Sequence, residues 1–166
     1  MTFANLANGE SIFLDANCFV YHFAPDPTFG PSCSQLIQRI DKQDIHGFTS
    51  THILTEVAHR LMTIEASALF VWPFAGIAYR LKKHPGQVQK LSAFRQAVQT
   101  VLNSKIQVLS IPPALVLTGA TISQQTGVLS NDALIVAVMQ ANGLTNLASE
   151  DSDFDGVAGL ARYAPD

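Results

Sequence analysis

The stretch from Ser130 to Asp155 limits the fold more than any other part of the chain. Ser130 is a residue type that caps helix N-termini, and Ala133 to Met139 is an unbroken run of seven apolar residues. Extended by Gln140 and Ala141, the segment is longer than a strand needs and reads as a helix. A helix that is apolar almost all round must be buried on nearly every side. Asp132 falls in its first turn, where unpaired N–H groups and the helix dipole favour a negative charge. Gly143 supplies a C-terminal stop. Leu144 to Ala148 then predicts a short buried strand, and its far end runs into Glu150, Asp151, Asp153 and Asp155. In a parallel α/β sheet, the start of such a helix and the end of such a strand both lie at the carboxyl edge, where sites form.

The rest of the chain repeats the alternation. Ile12-Phe13-Leu14 is a continuous apolar run ending in Asp15, suited to a central parallel strand. A helix is expected from about Cys18, then a loop marked by Pro25, Pro27, Gly30 and Pro31, then a helix from Ser32 to Asp41. His46 to Thr49 reads as the second strand. Ser50 or Thr51 caps the next helix, whose apolar stripe is Ile53, Leu54, Val57, Ala58, Leu61 and Met62. Glu56 falls off that stripe.

Residues 66–104 predict a helical arm divided by Pro73, Gly76, Pro85 and Gly86, with Ala75–Leu81 and Val88–Leu102 as its best helices. Ile106 to Leu109 reads as a third strand, Pro112 opens a further helix ending near Gly127, and Ala161 to Tyr163 reads as a final edge strand. The prediction is an α/β chain: a three-layer α/β/α sandwich with a central, mostly parallel sheet, in a single domain over residues 1–166.

Charge sharpens the reading. The chain holds thirteen acids and ten Lys or Arg, a net charge of −3. No acid lies between Ala66 and Asn131, where Arg80, Lys82, Lys83, Lys90, Arg95 and Lys105 all fall. A basic surface beside an acidic pocket is expected, with Arg80, Lys82, Lys83, Lys90 and Arg95 as candidate nucleic-acid contacts. No apolar run approaches the length of a membrane span, no basic leader precedes an apolar core, and Cys18 and Cys33 lack metal-type spacing. A cytoplasmic location and buried reduced thiols are expected. Phosphate-binding glycine loops are missing, which argues against ATP or NAD.

Asp15 ends the first strand, Asp132 opens the buried helix, and Asp151 or Asp153 follows the next strand; if those strands are neighbours the three converge, and Glu56, near the start of its helix, could complete the ring. At about 5 Å and an effective dielectric of about 20, each like-charged pair costs roughly 3 kcal/mol. Such a set stays ionised together only around a cation, and hard oxygen ligands select Mg²⁺ or Mn²⁺. Asp15, Glu56, Asp132 and Asp151 are therefore the candidate catalytic acids, and Asp15, Asp132, Asp151 and Asp153 the candidate metal ligands. Asn17, Ser130 and Ser149 are candidates to bond those carboxylates or cap the adjoining turns.

These residues resemble the PIN domain family, and their layout is most similar to its VapC-type toxins. Ile12-Phe13-Leu14-Asp15-Ala16-Asn17 resembles the family's first motif, and Thr55-Glu56-Val57 its helical Glu motif. Ser130-Asn131-Asp132-Ala133-Leu134-Ile135 resembles the third motif, Ala148 to Phe154 the fourth, and Gly159 to Pro165 the usual ending. The resemblance implies Mg²⁺- or Mn²⁺-dependent endoribonuclease cleavage of single-stranded RNA. It also implies a homodimer and an antitoxin partner whose tail enters the active groove. Ala16 departs from the family's usual hydroxyl residue, and residues 66–104 match no motif.

Two other readings compete. An inactive PIN-like scaffold binding RNA or protein predicts no uptake of Mn²⁺. A phosphatase of the haloacid dehalogenase type needs a second Asp two residues after Asp15, where Asn17 stands.

Overall fold

The computed structural model describes every residue from Met1 to Asp166. After a 3₁₀ turn at Phe3–Asn5 come β1 (Ser11–Leu14), α1 (Ala16–Phe23), α2 (Gly30–Asp41) and β2 (His46–Ser50). Four helices follow: α3 (Thr51–Phe70), α4 (Ile77–Lys83), α5 (Pro85–Val88) and α6 (Ala93–Asn103). The chain continues with β3 (Gln107–Leu109), α7 (Pro113–Thr126), α8 (Ser130–Ala141) and β4 (Asn146–Ala148). A 3₁₀ turn at Ser152–Gly156 leads to β5 (Ala161–Tyr163).

The five strands form one sheet in the order β3-β2-β1-β4-β5, with every pairing parallel. The sequence predicts a mostly parallel sheet; the observed one is wholly so. A sheet of this kind is covered on both faces. Accordingly Ile12, Phe13 and Leu14 of β1 and Leu147 and Ala148 of β4 have no solvent exposure. Helix α1 packs on α2 and α3, and α3 on α6, while α7 packs on α8. These two groups make the outer layers of an α/β/α sandwich. No helix is long and apolar enough to cross a membrane.

The strand order changes direction at β1. From β1 the chain steps outward to β2 and β3, then returns through α7 and α8 to β4 on β1's other side. This is the switch point at which a parallel sheet opens a crevice at its carboxyl edge. Helix α8 is buried at Ala133 and from Ile135 to Met139, as its sequence predicts. Its close seat against α7 depends on Gly119, where an added Cβ would lie 3.0 Å from Leu134 Cα.

Several boundaries differ from expectation. Leu129, not Ser130, occupies the N-cap of α8, because the first helical bond runs from Ala133 N–H to Leu129 O at 2.8 Å. Helix α3 continues to Phe70, eight residues beyond the end of its recognisable stripe at Met62. In place of two helices at 75–81 and 88–102 there are three. The last, α6, buries Ala97 and Val101 in the main core. A smaller cluster of Ala66, Ile77, Leu81 and Leu91 fastens α4 to the end of α3. Cys18 and Cys33 are free and buried, as expected.

Candidate active site

The pairing of β1 with β4 sets Phe13 opposite Leu147 and Leu14 opposite Ala148. The next residue on each strand is polar, so Asp15 and Ser149 arrive side by side. Asp15 N–H bonds Ala148 O at 3.0 Å, and Ser149 Oγ donates to Asp15 Oδ2 at 2.7 Å. Asp15 also caps α1, its Oδ1 accepting from Ala16 N–H at 2.6 Å. Ser149 Oγ accepts in turn from Asn17 Nδ2 at 3.3 Å and from Asp151 N–H at 3.1 Å. One buried hydroxyl therefore ties Asp15, Asn17 and the start of the acidic loop together. Asn17 Oδ1 remains buried without a protein partner.

Asp15 is only 8% exposed, and burial pushes its pKa up to about 6. The Ser149 and Ala16 hydrogen bonds oppose that rise, the negative charge of Glu56 adds to it, and Arg60 counters it. Asp132, half-buried in the first turn of α8, is also raised: first by burial, then by the charges of Asp151, Asp153 and Glu56. Glu56 thus acts on both Asp15 and Asp132, linking the acids of β1 and α3 with those of α8 and the loop after β4.

Asp151 caps the 3₁₀ turn, accepting from Asp153 N–H at 2.9 Å. Asp155 is bonded by Arg162 at 2.7 and 2.9 Å, and Arg162 Nη1 also reaches Ser149 O at 3.2 Å. Arg162 so holds the acidic loop against β5.

Other candidates stand differently. Ser130 is exposed, neither caps α8 nor bonds a carboxylate, and so loses both roles expected of it. Arg80, expected on the RNA-facing surface, turns its Nη1 onto Pro73 O and Ala75 O at 3.0 and 2.8 Å. Lys82, Lys83, Lys90 and Arg95 are exposed.

Two residues at the site were not singled out from sequence. Arg60 Nη1 lies 3.7 Å from Glu56 Oε1, one turn further along α3, and places a cation among the acids. Its spacing from Glu56 was the available signal. Tyr21 Oη donates to Glu150 Oε2 at 3.1 Å, and burial with that bond pushes its pKa up to about 12. No sequence pattern marks Tyr21.

The donors are carboxylate oxygens, with the unpartnered amide oxygen of Asn17 behind them, which is the chemistry a hard divalent cation takes. No three His, Cys, Asp or Glu side chains stand close enough together to hold an ion unaided. A cavity of about 490 Å³ between α1, α2 and α6 is lined by Phe19, Phe23, Ile37 and Val101 and by none of these acids.

Comparison with known proteins agrees with the architecture. VapC20 of Mycobacterium tuberculosis, a sarcin–ricin-loop-cleaving toxin, is 19% identical with a TM-score of 0.62, over 90% of this chain and 96% of that one. VapBC2 of Rickettsia felis, solved on a promoter DNA fragment, is 15% identical with a TM-score of 0.59, over 94% and 99%. A toxin–antitoxin complex from Klebsiella pneumoniae is 17% identical with a TM-score of 0.52, over 90% and 95%. At these identities the likeness is one of fold. No curated protein sequence matches the chain significantly. The PIN domain family model matches residues 12–160, and the chain belongs to the PIN domain family.

Proposed function

We propose that this protein is a divalent-metal-dependent endoribonuclease acting on single-stranded RNA, with Asp15, Glu56, Asp132 and Asp151 as its catalytic acids. One observation carries the reading: Asp15 and Asp132 both hold their protons more tightly than free carboxylates, first through burial and then through nearby acids, with Glu56 acting on both. Uncompensated negative charge of that kind is what a cation relieves. Asp15, Asp132, Asp151 and Asp153 would hold Mg²⁺ or Mn²⁺. When bound, such an ion supplies an acidified water and counter-charge for a phosphate oxygen.

The chain's own residues do the rest. Ser149 and the Ala16 N–H fix the Asp15 carboxylate, leaving it one orientation. Asn17 steadies Ser149 from behind. Arg60, released from Glu56, offers a planar cation to a phosphate. Glu56, Asp132 and Asp151 are half-buried and Asp153 exposed beside the buried Asp15, which leaves a polymer strand a side from which to approach.

The fold relatives are toxins and toxin–antitoxin assemblies, which supports placing this chain as the toxin of such a module. A homodimer and a protein antitoxin belong to that reading, as does a cytoplasmic location. Cleavage of total RNA with Mg²⁺ or Mn²⁺ tests the chemistry. Asp15→Asn and Asp132→Asn should each abolish it; undiminished cleavage refutes the site.

A further inference from the structure

Of the fourteen aromatic residues in this chain, only Phe74 and Tyr79 are exposed, at 60% and 65%. Both lie in the acid-free segment, one before α4 and one within it. Lys82 and Lys83 stand exposed on the same helix, and Lys83 Nζ sits 5.4 Å from the centre of the Tyr79 ring. The backing is firm. Ile77 and Leu81 are buried against Ala66 and Leu91, and Arg80 closes the preceding turn through Pro73 O and Ala75 O. Trp72 packs against Phe70 with ring centres 4.9 Å apart and the planes tilted by 45°. Glu65, the nearest preceding acid, is already engaged: its carboxylate accepts from the N–H groups of Ser92 and Ala93 at the start of α6.

We propose that Phe74 and Tyr79, with Lys82 and Lys83, form a docking surface for unpaired bases of single-stranded RNA, apart from the carboxylate site. Exposed rings stack on any base, and neighbouring lysines meet the phosphates. Leu69 and Val71 extend the apolar area, and aromatic rings are common in protein interfaces too, but the cores of those interfaces are depleted in lysine, whereas here cations adjoin the rings. The surface matches a polyanion in charge. It rests on the RNA-cleaving reading and adds to it a second point of grip. Phe70 lies fourteen residues past Glu56 on α3, about 21 Å along the axis. That axial distance, to the end of α3 rather than to the rings themselves, corresponds to about six stacked nucleotides at about 3.4 Å each.

The test uses the full chain in chelator and a fluorescent single-stranded RNA of about 16 nucleotides, followed by anisotropy. Phe74→Leu and Tyr79→Leu keep an apolar side chain and remove the ring. Each should weaken binding at least about fivefold. Replacing Lys82 and Lys83 by Ala should weaken binding and flatten its salt dependence. In the cleavage assay the ring variants should raise KM for that RNA, leave kcat unchanged, and spare a substrate of about four nucleotides.

Unchanged affinity in both ring variants overturns the proposal. So does a shift in sedimentation without loss of RNA binding, which assigns the face to a protein contact. If ring variants bind normally while Asp15→Asn stops cleavage, only the docking surface fails. If RNA binds through the rings and nothing is cleaved, the surface stands and the nuclease reading falls.

Discussion

Replacing Asp15 by Asn should become more favourable to the stability of the metal-free protein, relative to wild type, as pH rises from acid to neutral. Folding moves the Asp15 pKa from 3.8 to about 6, because the carboxylate is buried beside Glu56 with only partial compensation from Ser149, Ala16 and Arg60. Between those values the folded chain keeps a proton that the unfolded chain has released. Stability from this group is therefore fully present below pH 3.8 and declines as pH rises to about 6. A shift of about two units at 1.36 kcal/mol each gives a loss of about 3 kcal/mol. Asn does not titrate, so the difference between variant and wild type should move by about 3 kcal/mol in favour of Asn between pH 3.5 and 7.5. Any constant cost of Asn geometry cancels in that comparison. Urea unfolding in chelator across this range measures it. A difference that stays flat with pH refutes the claim that Asp15 is held as a strained acid.

Three further substitutions probe the supports of the site. Ser149→Ala strips the donor from Asp15 and the acceptor from Asp151 N–H; it should cost about 2–3 kcal/mol at pH 7.5 and raise the Asp15 pKa further, read by carboxyl NMR. Gly119→Ala drives a methyl into the α8 backbone at Leu134, two residues from Asp132; a loss of about 1–3 kcal/mol and lower cleavage should follow, and an unchanged urea midpoint would dismiss the close-packing argument. Arg60→Ala breaks a pair more than a third exposed on each side, so stability should change by under about 1 kcal/mol. Cleavage should nevertheless fall, and Arg60→Lys should restore little of it because a point charge lacks the planar fork.

Much of the fold is legible in the order of residues. Apolar runs at Ile12–Leu14 and Leu144–Ala148 mark strands buried on both faces, and the acids immediately after them mark the carboxyl edge. Local pattern carried this information because each element is short and sharply bounded. Residues 66–104 were harder, since their helices pack on one another and on α3 through scattered contacts such as Ile77, Leu81 and Ala97. Ser130 misled because capping preference is a local statistic, and here the chain enters α8 one residue earlier at Leu129. At the site, Asp15, Asp132 and Asp151 follow from strand and helix ends. Ser149 is legible as a partner of a carboxylate, but its choice of Asp15, and its tie to both Asn17 and Asp151, depends on the register between β1 and β4. Arg80 shows the reverse: a cation legible as a phosphate contact is engaged by carbonyls visible only in three dimensions.

Calorimetric titration of Mn²⁺ into wild type, Asp15→Asn and Asp132→Asn tests most directly whether acids 117 positions apart in the chain serve one ion. Wild type should take up the ion saturably, and each single variant should show a clear loss of affinity. Uptake by Asp132→Asn that equals wild type would contradict a shared ion.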